Sequence, residues 1–81
     1  MPETTYGRLT EILLSLGFTL HEPKPGARVY KHAQSGATII LPAFPDNDRV
    51  YGHHLTDAKM TLDAYGIASE PEFNREILKA S

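Results

Sequence analysis

The chain has 81 residues, which is enough for one hydrophobic core but not for two. Hydrophobic residues make up 41% of it, the ordinary usage of globular domains, and the absence of cysteine excludes disulfides and thiolate metal sites. Eight Lys and Arg against ten Asp and Glu give a net charge of −2, which argues against strong non-specific nucleic-acid binding but leaves room for a local basic patch. No apolar run approaches the roughly 18 residues of a membrane span and no charged-then-apolar leader is present, so no membrane contact and a cytoplasmic location are expected.

The first element is a predicted amphipathic helix over about residues 5–16. Large aliphatic residues recur at the spacing of one helix face; they are Leu9, Ile12, Leu13 and Leu16. Threonines at its start can cap the helix, and Gly17 stands where a left-handed C-terminal cap is favoured. A short strand over residues 18–22 and an exposed turn at residues 23–26 are predicted to follow.

Residues 28–41 are predicted to form two strands around a tight turn. Residues that are β-branched or aromatic are frequent on both sides of that turn, and Gly36 between them can take a positive φ. The second of these strands is apolar on both faces, which predicts a central strand with a neighbour on each side. Pro42 is expected to end regular pairing, because it has no N–H to donate.

Alternation along the first strand of this hairpin puts Arg28, Tyr30 and His32 on one face. If that face is open, the three side chains offer a phosphate-binding cation, a ring on which a base can stack and an acid–base group for RNA cleavage. In the alternative interpretation, Tyr30 belongs to the core and its two charged neighbours lie at the edge of the sheet.

Residues 42–52 are predicted to form a loop. Asp46, Asn47 and Asp48 resemble a fragment of a calcium-binding loop, but the downstream Gly and Glu of an EF-hand are missing, which favours a solvated turn. His53 and His54 follow at the start of the next helix; adjacent positions point about 100° apart, so the pair cannot chelate one metal in the i, i+4 manner. No metal and no cofactor are expected.

Two helices complete the chain. The first covers about residues 53–65 and is expected to end at Gly66. Ser69 to Glu72 form a capping box with a proline in the first turn, which predicts a C-terminal helix over about residues 69–80. The sequence therefore predicts one α+β domain over residues 1–81, in the order α-β-β-β-α-α, with helices on one face of a three-stranded antiparallel sheet.

Several local phrases in this order resemble the HicA toxin family, and the resemblance covers about residues 6–67. The phrases are LLSLGF, PGARVYKH, ATIILP and HLTDAKMTLDAYGI. HicA proteins are small bacterial ribonucleases of toxin–antitoxin pairs, with a fold like that of a double-stranded-RNA-binding domain. The resemblance implies that fold, RNA as a ligand and an antitoxin-like protein as a partner; no DNA is expected for this chain alone.

The family's catalytic phrase is Gly-Ser-His with an aromatic residue three positions after the His. Alignment of Tyr30 on that aromatic residue puts Ala27 where the histidine belongs, so the usual catalytic group is missing. An enzyme, if active, would be a metal-independent endoribonuclease using His32. Arg28, Tyr30, Lys31 and Lys24 are the residues expected to contact RNA.

Two functions are compatible with these patterns. One is an RNA-binding domain or degenerate mRNA interferase of HicA type. The other is a non-catalytic interaction module that binds a partner protein or a second copy of itself through a sheet edge or the C-terminal helix. A small core makes a homodimer a ready source of additional stability.

Overall fold

The computed structural model describes residues 4–79, and its elements confirm the predicted α+β order. The helices are α1 (Tyr6–Ser15), α2 (Gly52–Ala64) and α3 (Glu70–Lys79); the strands are β1 (Phe18–Lys24), β2 (Ala27–His32) and β3 (Thr38–Pro42). Residue 80, the predicted end of the last helix, lies outside the described residues. None of the helices in residues 4–79 is long and apolar enough to cross a membrane.

The sheet is antiparallel with the strand order β1-β2-β3, so the strand predicted to be central is an edge strand. The prediction for β3 was wrong because an apolar residue on each face shows only that the strand is hydrophobic, not that it has two neighbours. Ile39 and Leu41 face the core, whereas Ile40 is 68% exposed on the opposite face. Pro42 is the last residue of β3 and pairs with Ala27.

All three helices lie on one face of the sheet, and the register fixes which residues point towards them. Phe18 pairs with His32, and Tyr30 lies between Leu20 and Ile39, so these side chains share the covered face. Tyr30 is 1% exposed and His32 is 8% exposed. The face that carries Arg28, Tyr30 and His32 is therefore the core face, and Tyr30 is a core residue, as the alternative interpretation predicts. The same interpretation put Arg28 and His32 at the edge of the sheet, which was wrong because β2 is the central strand.

The helix ends use the capping residues that the sequence predicts. Gly17 and Gly66 follow the last turns of α1 and α2 with φ of 100° and 68°, a region that glycine adopts without steric cost. At the start of α3, the Ser69 N–H donates to Glu72 Oε1 at 2.9 Å and the Glu72 N–H donates to Ser69 Oγ at 3.3 Å. These hydrogen bonds favour the carboxylate and hold the pKa of Glu72 below its ordinary value.

Backbone hydrogen bonds join the start of α1 to the loop before α2. Tyr6 N–H donates to the Asp48 carbonyl at 3.0 Å, and Gly7 N–H donates to the Asp46 carbonyl at 2.8 Å. Val50 N–H donates in turn to the Thr4 carbonyl at 2.9 Å. The Asp46 side chain is thereby placed beside α1 and the start of β2, where the candidate site lies.

Candidate nucleic-acid interface

An open cleft of about 600 Å³ lies between α1, the start of β2 and the loop before α2. Its wall combines guanidinium, hydroxyl and carboxylate groups with one leucine. The lining residues are Thr5, Gly7, Arg8, Thr10, Glu11, Leu20, Arg28, Asp46 and Asn47. The cleft is lined by both Arg8 and Arg28, which are twenty positions apart in the sequence, so it holds two cations.

Arg28 is held at one wall of this cleft by carboxylates. Its Nη1 lies 3.4 Å from Asp46 Oδ1 and its Nε lies 3.6 Å from Glu22 Oε1. Burial lowers the pKa of Arg28, but hydrogen bonding and attraction to Tyr30 and Asp46 outweigh that effect and raise it. The guanidinium is permanently charged, and its field is partly neutralised within the protein.

Arg8 supplies the second guanidinium from α1. Its Nη1 donates to Glu11 Oε2 at 3.0 Å and its Nη2 donates to the Glu76 carbonyl at 3.1 Å. Within residues 4–79, the buried Nε atoms of Arg8 and Arg28 have no hydrogen-bond partner, since the contact with Glu22 is too long for one. These two N–H donors are buried, so a ligand in the cleft would meet the terminal nitrogens of each guanidinium instead.

Tyr30 lies beneath the cleft and cannot stack on a base, because its ring is fully buried. Its hydroxyl lies 2.7 Å from Thr10 Oγ1. The predicted role of Tyr30 as an exposed stacking ring is therefore wrong. Its polar end instead helps to fix α1 against β2, with Thr10 at the cleft wall.

Neither of the two lysines predicted to contact RNA lines the cleft. Lys31 is exposed on the uncovered face of the sheet, opposite to Arg28 and Tyr30, and Lys24 is exposed at the end of β1, where it pairs with Ala27. Because side chains alternate along β2, Lys31 and Arg28 lie on opposite faces of the sheet. Of the four residues predicted to contact RNA, only Arg28 lines the cleft, which it shares with Arg8.

His32 lies at the opposite end of β2, about 13 Å from Arg28 at the usual rise of a strand. Its Nδ1 lies 2.8 Å from Ser35 Oγ and accepts the Ser35 N–H at 3.3 Å. Both hydrogen bonds therefore tie Nδ1 of the ring to the turn that follows β2. His32 organises the β2–β3 turn, an arrangement that does not favour an acid–base role.

A second cluster, of aromatic and histidine rings, surrounds the start of α2. The Tyr51 N–H donates to the Tyr6 hydroxyl at 3.3 Å, and that hydroxyl also shares a hydrogen bond with His54 Nδ1 at 2.8 Å. Burial, followed by the charge of His53, lowers the pKa of His54, although Asp57 opposes the shift. Both effects favour a neutral imidazole.

The outer part of this cluster is accessible. Tyr51 is 56% exposed and its ring stacks on His53 with a centroid separation of 5.9 Å and an interplanar angle of 9°. In the sequence, the two histidines stand at the start of a predicted helix, where they cannot chelate one metal together. Tyr51, two positions before His53, is the one sign of an aromatic cluster that the local sequence offers. The hydrogen bond that joins Tyr6 to His54 spans 48 positions, so no local sequence pattern predicts it.

Metal binding has no support in the described part of the chain. Residues 4–79 contain no group of three or more His, Asp or Glu side chains arranged to hold an ion. Asp46, the first residue of the calcium-like fragment, pairs with Arg28 instead.

No protein-family model matches the chain, and comparisons with curated proteins and with solved structures give no significant match either. The resemblance to HicA toxins therefore remains a prediction from the sequence phrases.

Proposed function

We propose that this domain is a HicA-like RNA-binding domain of a toxin–antitoxin system that does not cleave RNA through the family's usual histidine. The observation that carries the proposal is the pair of guanidiniums, Arg8 and Arg28, that line one open cleft. The cleft lies at the start of β2, which is where the resemblance to HicA puts the RNA site. The α-β-β-β-α order of the first five elements is the other support.

A phosphate of the RNA backbone is the group that fits between the two arginines. A guanidinium presents several N–H donors in a plane and binds phosphate oxygens with two of them at once. The Glu11 carboxylate already binds Arg8 and the Asp46 carboxylate already binds Arg28, so the phosphate must displace these two carboxylates. This competition predicts weak binding that decreases steeply with salt.

Binding without cleavage follows from the residues at and around the site. Ala27 replaces the expected histidine and has no group that can accept a proton. His32 is buried, uses Nδ1 in the β2–β3 turn and is separated from Arg28 by Tyr30 on the same face. Neither residue supplies a general base beside a phosphate held by Arg8 and Arg28.

Fluorescence anisotropy with short single-stranded and hairpin RNAs, at low and at physiological salt, tests the proposal. We expect Arg28→Ala to weaken binding at least about tenfold, because a hydrogen bond to a charged group contributes about 1.5–3 kcal/mol. Asp46→Asn should strengthen binding, since it removes the competing charge. Lys31→Ala is the matched control, because it removes a cation from the same strand but on the uncovered face.

Two results would overturn this function. The absence of RNA binding at low salt would refute the proposed RNA-binding function, and so would an equal loss of affinity in Lys31→Ala and Arg28→Ala. Incubation of RNA with the wild-type protein and with His32→Ala tests the proposal that the domain does not cleave RNA. We expect the RNA to remain intact with both proteins. RNA cleavage by the wild type that disappears in His32→Ala would make the protein an endoribonuclease.

A second candidate function is a protein-interaction module that binds an antitoxin-like partner or a second copy. The observation that favours it is the uncovered face of the sheet, which ends at an edge strand with an exposed isoleucine, Ile40. Failure of RNA binding in all conditions would leave this function as the better supported one.

A further inference from the structure

The outer edge of β3 carries backbone groups that no other described residue uses. Hydrogen-bonded and non-hydrogen-bonded residue pairs alternate along antiparallel strands. The bonds from His32 N–H to the Ala37 carbonyl and from Ala43 N–H to the Gly26 carbonyl show which pairs of β2 and β3 are hydrogen-bonded. By this alternation, Ile39 and Leu41 exchange backbone hydrogen bonds with β2. The N–H and C=O groups of Thr38 and Ile40 consequently point away from the sheet.

The two outer edges of the sheet differ in how well they resist pairing. β1 contains Glu22, Pro23 and Lys24 and has a register shift between His21 and Lys24, all features that disfavour the addition of a strand. β3 has the sequence TIILP, with no charged side chain and a proline only at its last position. The protections of β1 are thus missing from β3.

We propose that β3 is the pairing edge of a homodimer, in which two copies join antiparallel through Thr38–Ile40 into one six-stranded sheet. The proposal is a specific form of the second candidate function and does not depend on RNA binding, since no residue of β3 lines the cleft. An uncharged strand meets no like-charge repulsion from its own copy, even though each chain has a net charge of −2.

The backbone selects one register for this pairing. With Ile39 opposite Ile39 of the second copy, each Thr38 lies opposite an Ile40, and the two residues exchange both hydrogen bonds. All the outward donors and acceptors of Thr38 and Ile40 are then used in both copies. A shift that centres the pair on Ile40 puts Thr38 opposite Pro42, which has no N–H and whose carbonyl already accepts the Phe44 N–H at 3.0 Å.

The side chains agree with the same register. A two-fold axis perpendicular to the sheet keeps the helices of both copies on one side, so the exposed Ile40 of each copy packs beside Thr38 of the other on the uncovered face. Four hydrogen bonds and a short apolar contact make a small interface, so we expect a weak dimer that forms as concentration rises.

Sedimentation equilibrium of the whole chain over a concentration series measures the association directly. We expect the mass to rise from 9.0 kDa towards twice that value. Ile40→Pro removes an outward N–H without breaking a bond to β2, and Ile40→Lys puts a charge at the edge; either variant should weaken dimerisation at least about tenfold. Thr19→Lys is the matched control, because it adds the same charge on the same face at the β1 edge.

Amide hydrogen exchange locates the interface within the chain. The amides of Thr38 and Ile40 should exchange severalfold more slowly as concentration rises, while that of Thr19 does not change. A monomer at every concentration would overturn the proposal, and so would a dimer that persists in both Ile40 variants. If Ile40→Pro fails to fold, as judged by circular dichroism, Ile40→Lys decides, because residue 40 is exposed and tolerates a charged side chain. RNA affinity does not enter any of these measurements.

Discussion

Gly7→Ala tests the close contact between α1 and the loop before α2. Gly7 is the second residue of α1, and its φ is not positive, so alanine introduces no backbone strain. An added Cβ would lie 2.9 Å from the Cβ of Asp46 and 3.0 Å from its carbonyl oxygen. That oxygen also accepts the Gly7 N–H at 2.8 Å, so the loop cannot move away without losing the bond.

Two opposing terms set the size of the effect. Alanine is favoured over glycine in a helix by up to about 1 kcal/mol. Against this, overpacking costs about 1–3 kcal/mol, and each backbone hydrogen bond lost from the loop, first Gly7 to Asp46 and then Tyr6 to Asp48, costs about 1 kcal/mol. We therefore expect a net loss of about 1–2 kcal/mol, with a decrease in Tm of roughly 4–8 °C per kcal/mol for a domain of this size.

Urea unfolding followed by circular dichroism measures this loss as a lower transition midpoint at an unchanged slope. Gly52→Ala is the matched control: Gly52 is also at the start of a helix, and a Cβ there meets no atom within 4 Å. That variant should be as stable as the wild type or slightly more stable. If Gly7→Ala proves equally stable, the contact with Asp46 does not constrain α1 and the reasoning fails.

Two further predictions concern the helix ends and the histidines. Gly17→Ala should lower the free energy of unfolding by about 2 kcal/mol and Gly66→Ala by about 1 kcal/mol. Both glycines have positive φ, but only a Cβ at residue 17 would press on His32 Nε2, at 3.2 Å. Equal losses of stability in urea unfolding would contradict this difference. The pKa of His54 lies below its ordinary value through burial and the charge of its neighbouring histidine, so the unfolded chain takes up a proton first as the pH falls. Stability should be complete above about pH 6.5 and decrease as the pH approaches the folded pKa; His54→Gln should abolish that part of the pH dependence, and an unchanged profile would refute the assignment.

Local sequence patterns were sufficient to predict the elements of this fold. The spacing of Leu9, Ile12 and Leu13 predicts α1, and the capping box between Ser69 and Glu72 predicts the start of α3, because each signal lies within a few residues of the structure that it determines. The order of the strands is a different matter. Whether β3 has one neighbour or two depends on the whole sheet, and no residue within β3 encodes it.

The candidate site was less predictable because its residues come from distant segments. Arg28 was identified, but its partner in the cleft, Arg8, lies on α1, and the carboxylate of Asp46 reaches the pair only because the loop is bound to the start of that helix. Tyr30 was considered in both possible orientations, and the choice between them depended on which face the helices cover. The sequence specifies the alternation along a strand but not the side on which the core forms.

The hydrogen bonds between α1 and the loop before α2 also bear on the order in which the chain folds. Gly7 and Asp46 are roughly 40 positions apart, and closing a chain segment of that length costs about 3 kcal/mol in entropy before any contact repays it. The turns between β1 and β2 and between β2 and β3 close only a few residues each and can form in microseconds. The sheet can thus form before the cleft does, and Arg8 and Arg28 line a complete cleft only once these long-range contacts have formed.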